Sequence, residues 1–243
     1  MREVDQALAR GYAAAAARPA GSPPRPHFPV ERPSAPGLLW PETVKALERA
    51  HGDRFERLAD AVVEARERRS IKSLLFTSCH RAEGRTTLVL TLARALARRP
   101  GRILLVDGDL AGPMLARQLG LRPICGLAEV LERGLAAAEA VVESADDHLS
   151  LLPLLAAVDR PRELLAGPGW ASLMAKLRRE YDSVLIDGGP LFSGLSAAVL
   201  HRGVDAAVLV HNRALTGRRA LDRAREVLEA GGVPLLGLAE TFA

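Results

Sequence analysis

From Ile71 onward, short apolar runs alternate along the chain with stretches whose apolar residues recur at helical spacing. The runs predicted as strands are Ser73–Thr77, Ile103–Val106, Leu149–Leu152, Ser183–Ile186, Ala206–Val210 and Leu235–Leu238. The stretches predicted as helices are Thr86–Ala97, Pro113–Leu119, Gly126–Arg133, Trp170–Arg179, Leu195–His201 and Gly217–Ala230. Continuous apolar strands separated by amphipathic helices are typical of a parallel sheet covered on both faces. The pattern therefore predicts an α/β fold with a doubly wound, mostly parallel sheet.

The chain before this alternation has a different pattern. Residues 2–18 place apolar side chains on one helical face, which predicts a short helix. Residues 18–41 contain eight prolines and are predicted to be a disordered or extended linker. The pattern over residues 42–68 predicts a helix that is interrupted near His51. The predicted division is residues 1–40 for the N-terminal segment and residues 41–243 for the globular domain.

Charge and cysteine content exclude several classes of function. The 33 basic and 29 acidic residues leave a net charge of +4, and the two signs are interleaved, so we expect no nucleic-acid partner. Two cysteines, Cys79 and Cys125, lie too far apart for a CxxC metal motif, and a reducing cytoplasm fits their free thiols. No run approaches the ~20 apolar residues of a membrane span. We therefore expect a cytoplasmic protein that reaches a membrane only through a partner.

Polar residues follow three of the predicted strands, at the strand ends where an open parallel sheet binds its ligands. The first strand leads through Gly84-Arg85-Thr86-Thr87 into a helix, which is the layout of a loop that cradles a polyphosphate with backbone N–H groups. Asp107 and Asp109 follow the second strand, and Asp187 follows the third. A carboxylate in this place can hold Mg²⁺ or orient a water beside a phosphate, and Thr86 can add a hydroxyl. Each aspartate alone could equally be a helix cap, but the three features in this order predict a phosphate site.

The stretch from Asp53 to the C-terminus resembles the bacterial tyrosine kinases (BY-kinases, the CpsD/CapB type), a branch of the MinD/ParA-like P-loop ATPases. Five ordered motifs carry the resemblance. The family patterns TSxxPGEGKST, LLIDADLRRP, GLsdvL, PaeLL and YDxVIIDTPP are matched by residues 77–87, 104–113, 126–131, 161–165 and 181–190.

The resemblance implies ATP and Mg²⁺ as ligands. The residues that it assigns to the nucleotide are Ser78, Glu83, Gly84, Arg85, Thr86 and Thr87. The residues that it assigns to the metal are Thr86, Asp107 and Asp187, and those that it assigns to catalysis are Asp107, Asp109 and Asp187. It further implies a cytoplasmic protein that acts with a membrane-embedded polysaccharide chain-length regulator in exopolysaccharide synthesis or export. The self-association motif ExxRxxR is matched only by Asp53-x-x-Glu56-x-x-Ala59, so formation of a homo-oligomer stays open.

Several matched positions depart from the family pattern. Arg85 replaces the phosphate-binding lysine, Ala111 an arginine, Ser196 an aspartate and Glu240 an asparagine that contacts the base. The only tyrosines are Tyr12 and Tyr181, so the autophosphorylated cluster near the C-terminus is absent. Only three of the 33 basic residues are lysines, so Arg85 also fits a general preference for arginine. Because arginine is bulkier than lysine where the loop closes around phosphates, we expect weak or absent phosphoryl transfer.

The alternative is a positioning or partitioning ATPase of the MinD/ParA kind. That group has a second lysine near the start of the loop, where this chain has Ser78-Cys79. It also often ends in an amphipathic membrane helix, which this sequence does not show. Both features favour the kinase family.

Overall fold

The computed structural model describes residues 32–192 and 203–242. Its strands are β1 (Ser34–Ala35), β2 (Ser73–Ser78), β3 (Ile103–Gly108), β4 (Val142–Ser144), β5 (Leu149–Leu152), β6 (Ser183–Gly188), β7 (Ala206–Asn212) and β8 (Leu235–Thr241). Its helices are α1 (Glu42–Arg69), α2 (Arg85–Ala97), α3 (Leu115–Gln118), α4 (Leu127–Arg133), α5 (Ala137–Ala140), α6 (Pro161–Ala166), α7 (Pro168–Glu180) and α8 (Arg218–Ala230). The predicted helices over residues 2–18 and 195–201 lie outside the described residues, as do Tyr12 and Ser196.

The strands form one eight-stranded sheet in the order β1-β4-β5-β3-β6-β2-β7-β8. All neighbouring pairs are parallel except β4 and β5, which run antiparallel. This confirms the mostly parallel sheet predicted from the sequence. Strands β3, β6 and β2 lie side by side in the middle, so their carboxyl ends bring the three predicted polar segments together.

The core lies on both faces of the sheet because successive strand residues point to opposite sides. Leu75 of β2 packs in the cluster that holds Trp170 of α7 and Leu228 of α8. Its neighbour Leu74 packs on the other face, with Val62 of α1 and Leu92 of α2. The double winding is therefore confirmed.

Helix α1 is 28 residues long and is interrupted where the sequence predicted a break. His51 has φ −136° and ψ 24°, which is not helical, and Gly52 follows it. Ion pairs join this helix to the end of α2 and the residues after it, among them Arg98 with Glu48 and Arg99 with Asp60, the latter at 2.6 Å. Among the described residues, no helix is long and apolar enough to cross a bilayer.

The described end of the proline-rich segment packs on the domain, so the boundary at residue 40 falls too late. Strand β1 pairs with β4 at the edge of the sheet. The carboxylate of Asp147 accepts hydrogen bonds from the Leu38 N–H and the Trp40 Nε1–H, both at 2.7 Å. Proline excludes a central strand but not a two-residue edge strand, which needs few backbone donors.

Candidate nucleotide site

The loop between β2 and α2 has the tight turn that the motif predicts. Gly84 precedes α2 with φ +78°, in the left-handed region that favours glycine. A Cβ at this residue would lie 3.1 Å from Phe242 Cε2 and 3.2 Å from Thr241 Cγ2, so a larger residue would also press on these two side chains. The N–H groups of Arg85, Thr86 and Thr87 begin the helix and have no carbonyl four residues back within it.

Glu83 holds the shape of this loop. Its side chain is buried, and Oε2 accepts from the His80 N–H at 2.7 Å. Oε1 accepts from the Asn212 N–H at 3.2 Å and from the Thr216 hydroxyl. Thr241 Oγ1 donates to the Glu83 carbonyl oxygen at 2.7 Å. The carboxylate predicted to contact the nucleotide therefore ties the loop to β7 and the turn that follows it.

One departure from the family pattern concerns an uncharged residue of the loop. Ala82 matches a glycine in the family pattern TSxxPGEGKST, and it has φ +63°. An L-residue with a Cβ is strained in this region by about 1 kcal/mol. The loop thus keeps its conformation in spite of an unfavourable residue.

The guanidinium of Arg85 lies within the carboxylate cluster at the ends of β3 and β6. Arg85 is 8% exposed; its Nε donates to Asp187 Oδ1 at 2.8 Å, and its terminal nitrogens donate to Ser78 Oγ at 3.0 Å and Asp109 Oδ2 at 3.2 Å. Thr86 Oγ1 donates to Asp187 Oδ2 at 2.7 Å, so both oxygens of that carboxylate are engaged. Burial raises the pKa of Asp187, and the guanidinium opposes that rise. The structure therefore brings together five of the predicted site residues through one arginine.

Asp107 lies beside this arrangement but is hydrogen-bonded elsewhere. It pairs in register with Asp187 on the adjacent strand, but its Oδ2 accepts from the N–H groups of Met114 and Leu115 at 3.0 and 2.9 Å. Its Oδ1 is buried and has no hydrogen-bond partner among the described residues. Burial raises the pKa of Asp107 to about 7, although the two backbone N–H groups oppose the rise. In this structure Asp107 caps the turn before α3.

A cleft of about 220 Å³ opens between the loop and the carboxylates. Its lining residues are Arg81, Ala82, Glu83, Gly84, Arg85, Thr86, Thr87, Asp109, Gly112, Met114 and Asp187. Arg81 lies at the rim with its side chain 53% exposed, and its guanidinium pairs with Asp109 at 3.2 Å. Two arginines therefore face two aspartates across the cleft.

The residues do not fit a bound Mg²⁺ as they are arranged. Mg²⁺ requires six oxygen ligands in near-octahedral geometry, with carboxylates among them. The Asp187 oxygens, the strongest candidates, already accept from Arg85 and Thr86. A metal ion would also have to expel a buried cation that has three partners. Among the described residues, no group of three or more His, Cys, Asp or Glu side chains is suited to hold a metal.

A second, larger cleft of about 550 Å³ lies between the end of β7 and α8. Glu240, at the position where the family carries the asparagine that contacts the base, lines this cleft and pairs with Arg213 at 2.7 Å. The asparagine position is thus filled by an acidic side chain with a cationic neighbour.

Cys79 and Tyr181 are core residues. Cys79 is fully buried, and burial raises the pKa of its thiol to about 11, so it is a poor nucleophile. Tyr181 is 1% exposed, and the guanidinium groups of Arg32 and Arg102 lie 5.7 and 4.8 Å from its ring centroid. Both side chains therefore serve packing.

Comparison with known proteins gives relatives at the level of sequence and fold. No family model matches the chain. Tyrosine-protein kinase YwqD of Bacillus subtilis (strain 168) is 30% identical over 169 residues, which are 70% of this chain and 71% of the relative. The BceF tyrosine kinase domain superposes with a TM-score of 0.70 at 25% identity, over 84% of this chain and 91% of that chain.

The septum site-determining protein MinD of Pyrococcus horikoshii OT3, complexed with Mg-ADP, superposes with a TM-score of 0.59 at 24% identity. This match covers 69% of this chain and 68% of that chain, and it shows a shared fold. The kinases match over a larger share of both molecules. The chain belongs to the bacterial tyrosine-protein kinase family, as its five ordered motifs predicted.

Proposed function

We propose that this chain is a nucleotide-binding member of the family that regulates exopolysaccharide synthesis or export without efficient phosphoryl transfer. It acts in the cytoplasm by docking on a membrane-embedded chain-length regulator. The loop over residues 78–87 is the nucleotide site in this proposal. The observation that carries it is the position of the Arg85 guanidinium among Asp187, Asp109 and Ser78.

Phosphoryl transfer in P-loop enzymes depends on a cation at the terminal phosphates and on a residue that orients the nucleophile. The side chain of Arg85 is engaged by the carboxylates and does not extend freely into the cleft. Asp109, which the resemblance assigns to catalysis, forms ion pairs with both Arg85 and Arg81. Both oxygens of Asp109 already accept hydrogen bonds, so neither is free to orient a nucleophile.

The acceptor for transfer is also disfavoured within the described residues. Tyr181 is buried, and its hydroxyl accepts a hydrogen bond from Arg32 at 3.0 Å. Phosphorylation there would place about two negative charges in the core. The expected role is therefore one of binding, with the nucleotide as a ligand.

The catalytic part of the proposal is tested with the purified full chain and Mg-ATP. We expect no phosphotyrosine by mass spectrometry and ATP turnover below that of Arg85→Lys, since lysine restores a compact charge at the phosphates. Arg68→Lys is the matched control, because Arg68 pairs with Glu64 on the exposed surface of α1. Wild-type turnover equal to or above that of Arg85→Lys contradicts the proposal.

The docking part is tested by flotation with vesicles. We expect the chain to float with vesicles that contain a chain-length regulator encoded beside its gene, and to stay behind with bare vesicles of the same lipids. Recovery with bare vesicles would show direct lipid binding. Gene neighbours of a septum or centromere system would instead support the MinD/ParA alternative, whose fold matches less closely.

A further inference from the structure

Arg85 lies against Asp187, one of the residues that the family resemblance assigns to the metal. Its guanidinium bridges Asp187 and Asp109, which come from two different strands, and it reaches Ser78 at the end of a third. A planar guanidinium with five N–H donors can join several oxygens at fixed angles, whereas a lysine ammonium is a single point charge. The three contacts use three of the five N–H groups.

In the cleft the ion-paired charges compensate one another without a metal ion. Glu83, a third carboxylate in the lining, is held by hydrogen bonds from the loop and from β7. Arg81 and Arg85 face Asp109 and Asp187, and both carboxylates are at most 4% exposed. A lysine too short to reach both carboxylates would leave negative charge for a metal to neutralise. With arginine at this position, the negative charge of the two carboxylates is already neutralised from within the chain.

The phosphate side of the cleft remains built for an anion. The first turn of α2 contains no acidic residue, and Gly84 presents no side chain. Backbone N–H groups at a helix N-terminus attract phosphate independently of any metal. The cleft of about 220 Å³ lies directly against this turn and is lined by both arginines.

We propose that the Arg85 guanidinium substitutes for the divalent cation, so that the cleft binds a nucleoside polyphosphate in its metal-free form. The inference rests on the proposed nucleotide site and specifies its ligand. This chain would then differ from a P-loop protein that binds its nucleotide as the magnesium complex. Excess Mg²⁺ then gives no gain in affinity, because the complexed nucleotide brings a cation for which the carboxylates that line the cleft have no vacant oxygen. Asp107, whose Oδ1 has no partner among the described residues, lies outside this lining.

The test is calorimetry of ADP and ATP binding to the full-length wild-type chain, in excess EDTA and in excess MgCl₂. We expect binding in EDTA to be at least as tight as binding in MgCl₂. Arg85→Lys should reverse the order, with Mg²⁺ tightening binding by about tenfold or more, the usual value of one charge-assisted contact. Arg68→Lys should behave as wild type, since its ion pair with Glu64 is exposed.

Wild-type binding that is tenfold tighter with Mg²⁺, or absent in both conditions, would overturn the inference. Tripolyphosphate that binds as tightly as ATP would overturn its nucleoside part. The wild-type comparison stands even if the lysine variant fails to fold. Failure of the proposed function would look different: phosphotyrosine formed with Mg-ATP contradicts the regulatory role, whereas metal-dependent binding without transfer contradicts only this inference.

Discussion

The two walls of the cleft differ in how they are made. The loop wall consists of backbone, with Glu83 and Gly84 fixing its shape through buried hydrogen bonds and a close approach. The opposite wall consists of carboxylates that Arg85 holds together. The loop keeps its form although Ala82 is strained, whereas the carboxylate wall depends on the single side chain of Arg85. A backbone site tolerates changes of side chain that a side-chain site does not.

The carboxylate wall is also the part of the site whose stability depends most on charge. Asp187 and Asp109 are 2% and 4% exposed, and their compensation comes from within the chain. Buried carboxylates without a cation are costly, since the solvation that they lose is not replaced. The two walls should therefore respond differently to substitution and to pH.

The largest effect is expected from Arg85→Met, which keeps the length of the side chain and removes the cation. We expect a loss of about 3–5 kcal/mol in the free energy of unfolding at pH 8, because Asp187 is left buried without a cation and Asp109 keeps only the exposed Arg81. Removal of Arg85 lets the pKa of Asp187 rise further above its unfolded value. The loss should then shrink towards pH 5, where the folded carboxylate takes up a proton that the unfolded chain does not.

Urea unfolding at both pH values measures this difference. Arg68→Met is the control, because its exposed pair with Glu64 is worth at most about 1 kcal/mol. A loss for Arg85→Met that is as small as the control, or independent of pH, would show that the cluster is not held by the arginine.

Asp107→Asn tests the carboxylate that Arg85 does not reach. Burial raises the pKa of Asp107 to about 7, so the folded chain holds a proton between about pH 4 and pH 7 that the unfolded chain releases. Wild-type stability should fall as pH rises through this window, by about 1.4 kcal/mol per unit and about 3–4 kcal/mol in total. The amide does not titrate and keeps an acceptor for Met114 and Leu115, so the variant should gain on wild type by that amount.

To measure this gain, the free energy of unfolding of variant and wild type is compared at pH 4 and again at pH 8. The gain is the amount by which their difference changes between the two pH values. The exposed Asp159→Asn should stay within about 0.5 kcal/mol of wild type throughout. A difference for Asp107→Asn that stays flat with pH would mean that this carboxylate remains charged in the folded chain.

The smallest effect concerns the loop wall. Ala82→Gly removes about 1 kcal/mol of strain from a Cβ at φ +63° but adds backbone freedom to the unfolded chain, so we expect a net gain of about 0.5 kcal/mol. Ala214→Gly, at an exposed turn residue outside the positive-φ positions of the described chain, should cost up to about 1 kcal/mol. Thermal unfolding distinguishes the two signs. Stability changes of the same sign in the two variants would argue against strain in the loop.

The sequence was sufficient for the sheet because the strands that build its centre are apolar and continuous. All six predicted strands are present, and five of them extend by one to three polar or small residues beyond the apolar run. Strands β1 and β4 escaped prediction because two or three residues at a sheet edge carry no periodicity. The helix predicted over Pro113–Leu119 is only four residues long. The residues before it form a turn in which the Met114 N–H donates to the carboxylate of Asp107.

At the site, the order of the motifs predicted which residues would meet but not what they would do. Arg85, Thr86, Asp109 and Asp187 converge because parallel strands end at one edge. The direction of the Arg85 side chain depends on buried carboxylates that come from two other strands. The spacing of motifs along the sequence does not predict this direction. Ala82 could have been found, since the family pattern carries glycine where a left-handed residue is required.

The anchoring of the chain before α1 has a mechanical consequence. A pull on the N-terminal segment would load Arg32, whose guanidinium pairs with Glu143 and Glu180, and then the two-residue ladder of β1. Four strands separate β1 from β2, where the loop begins. We expect such a pull to detach the strands one after another from the outer edge of the sheet. The cleft should bear no force until β4 and β5 have separated.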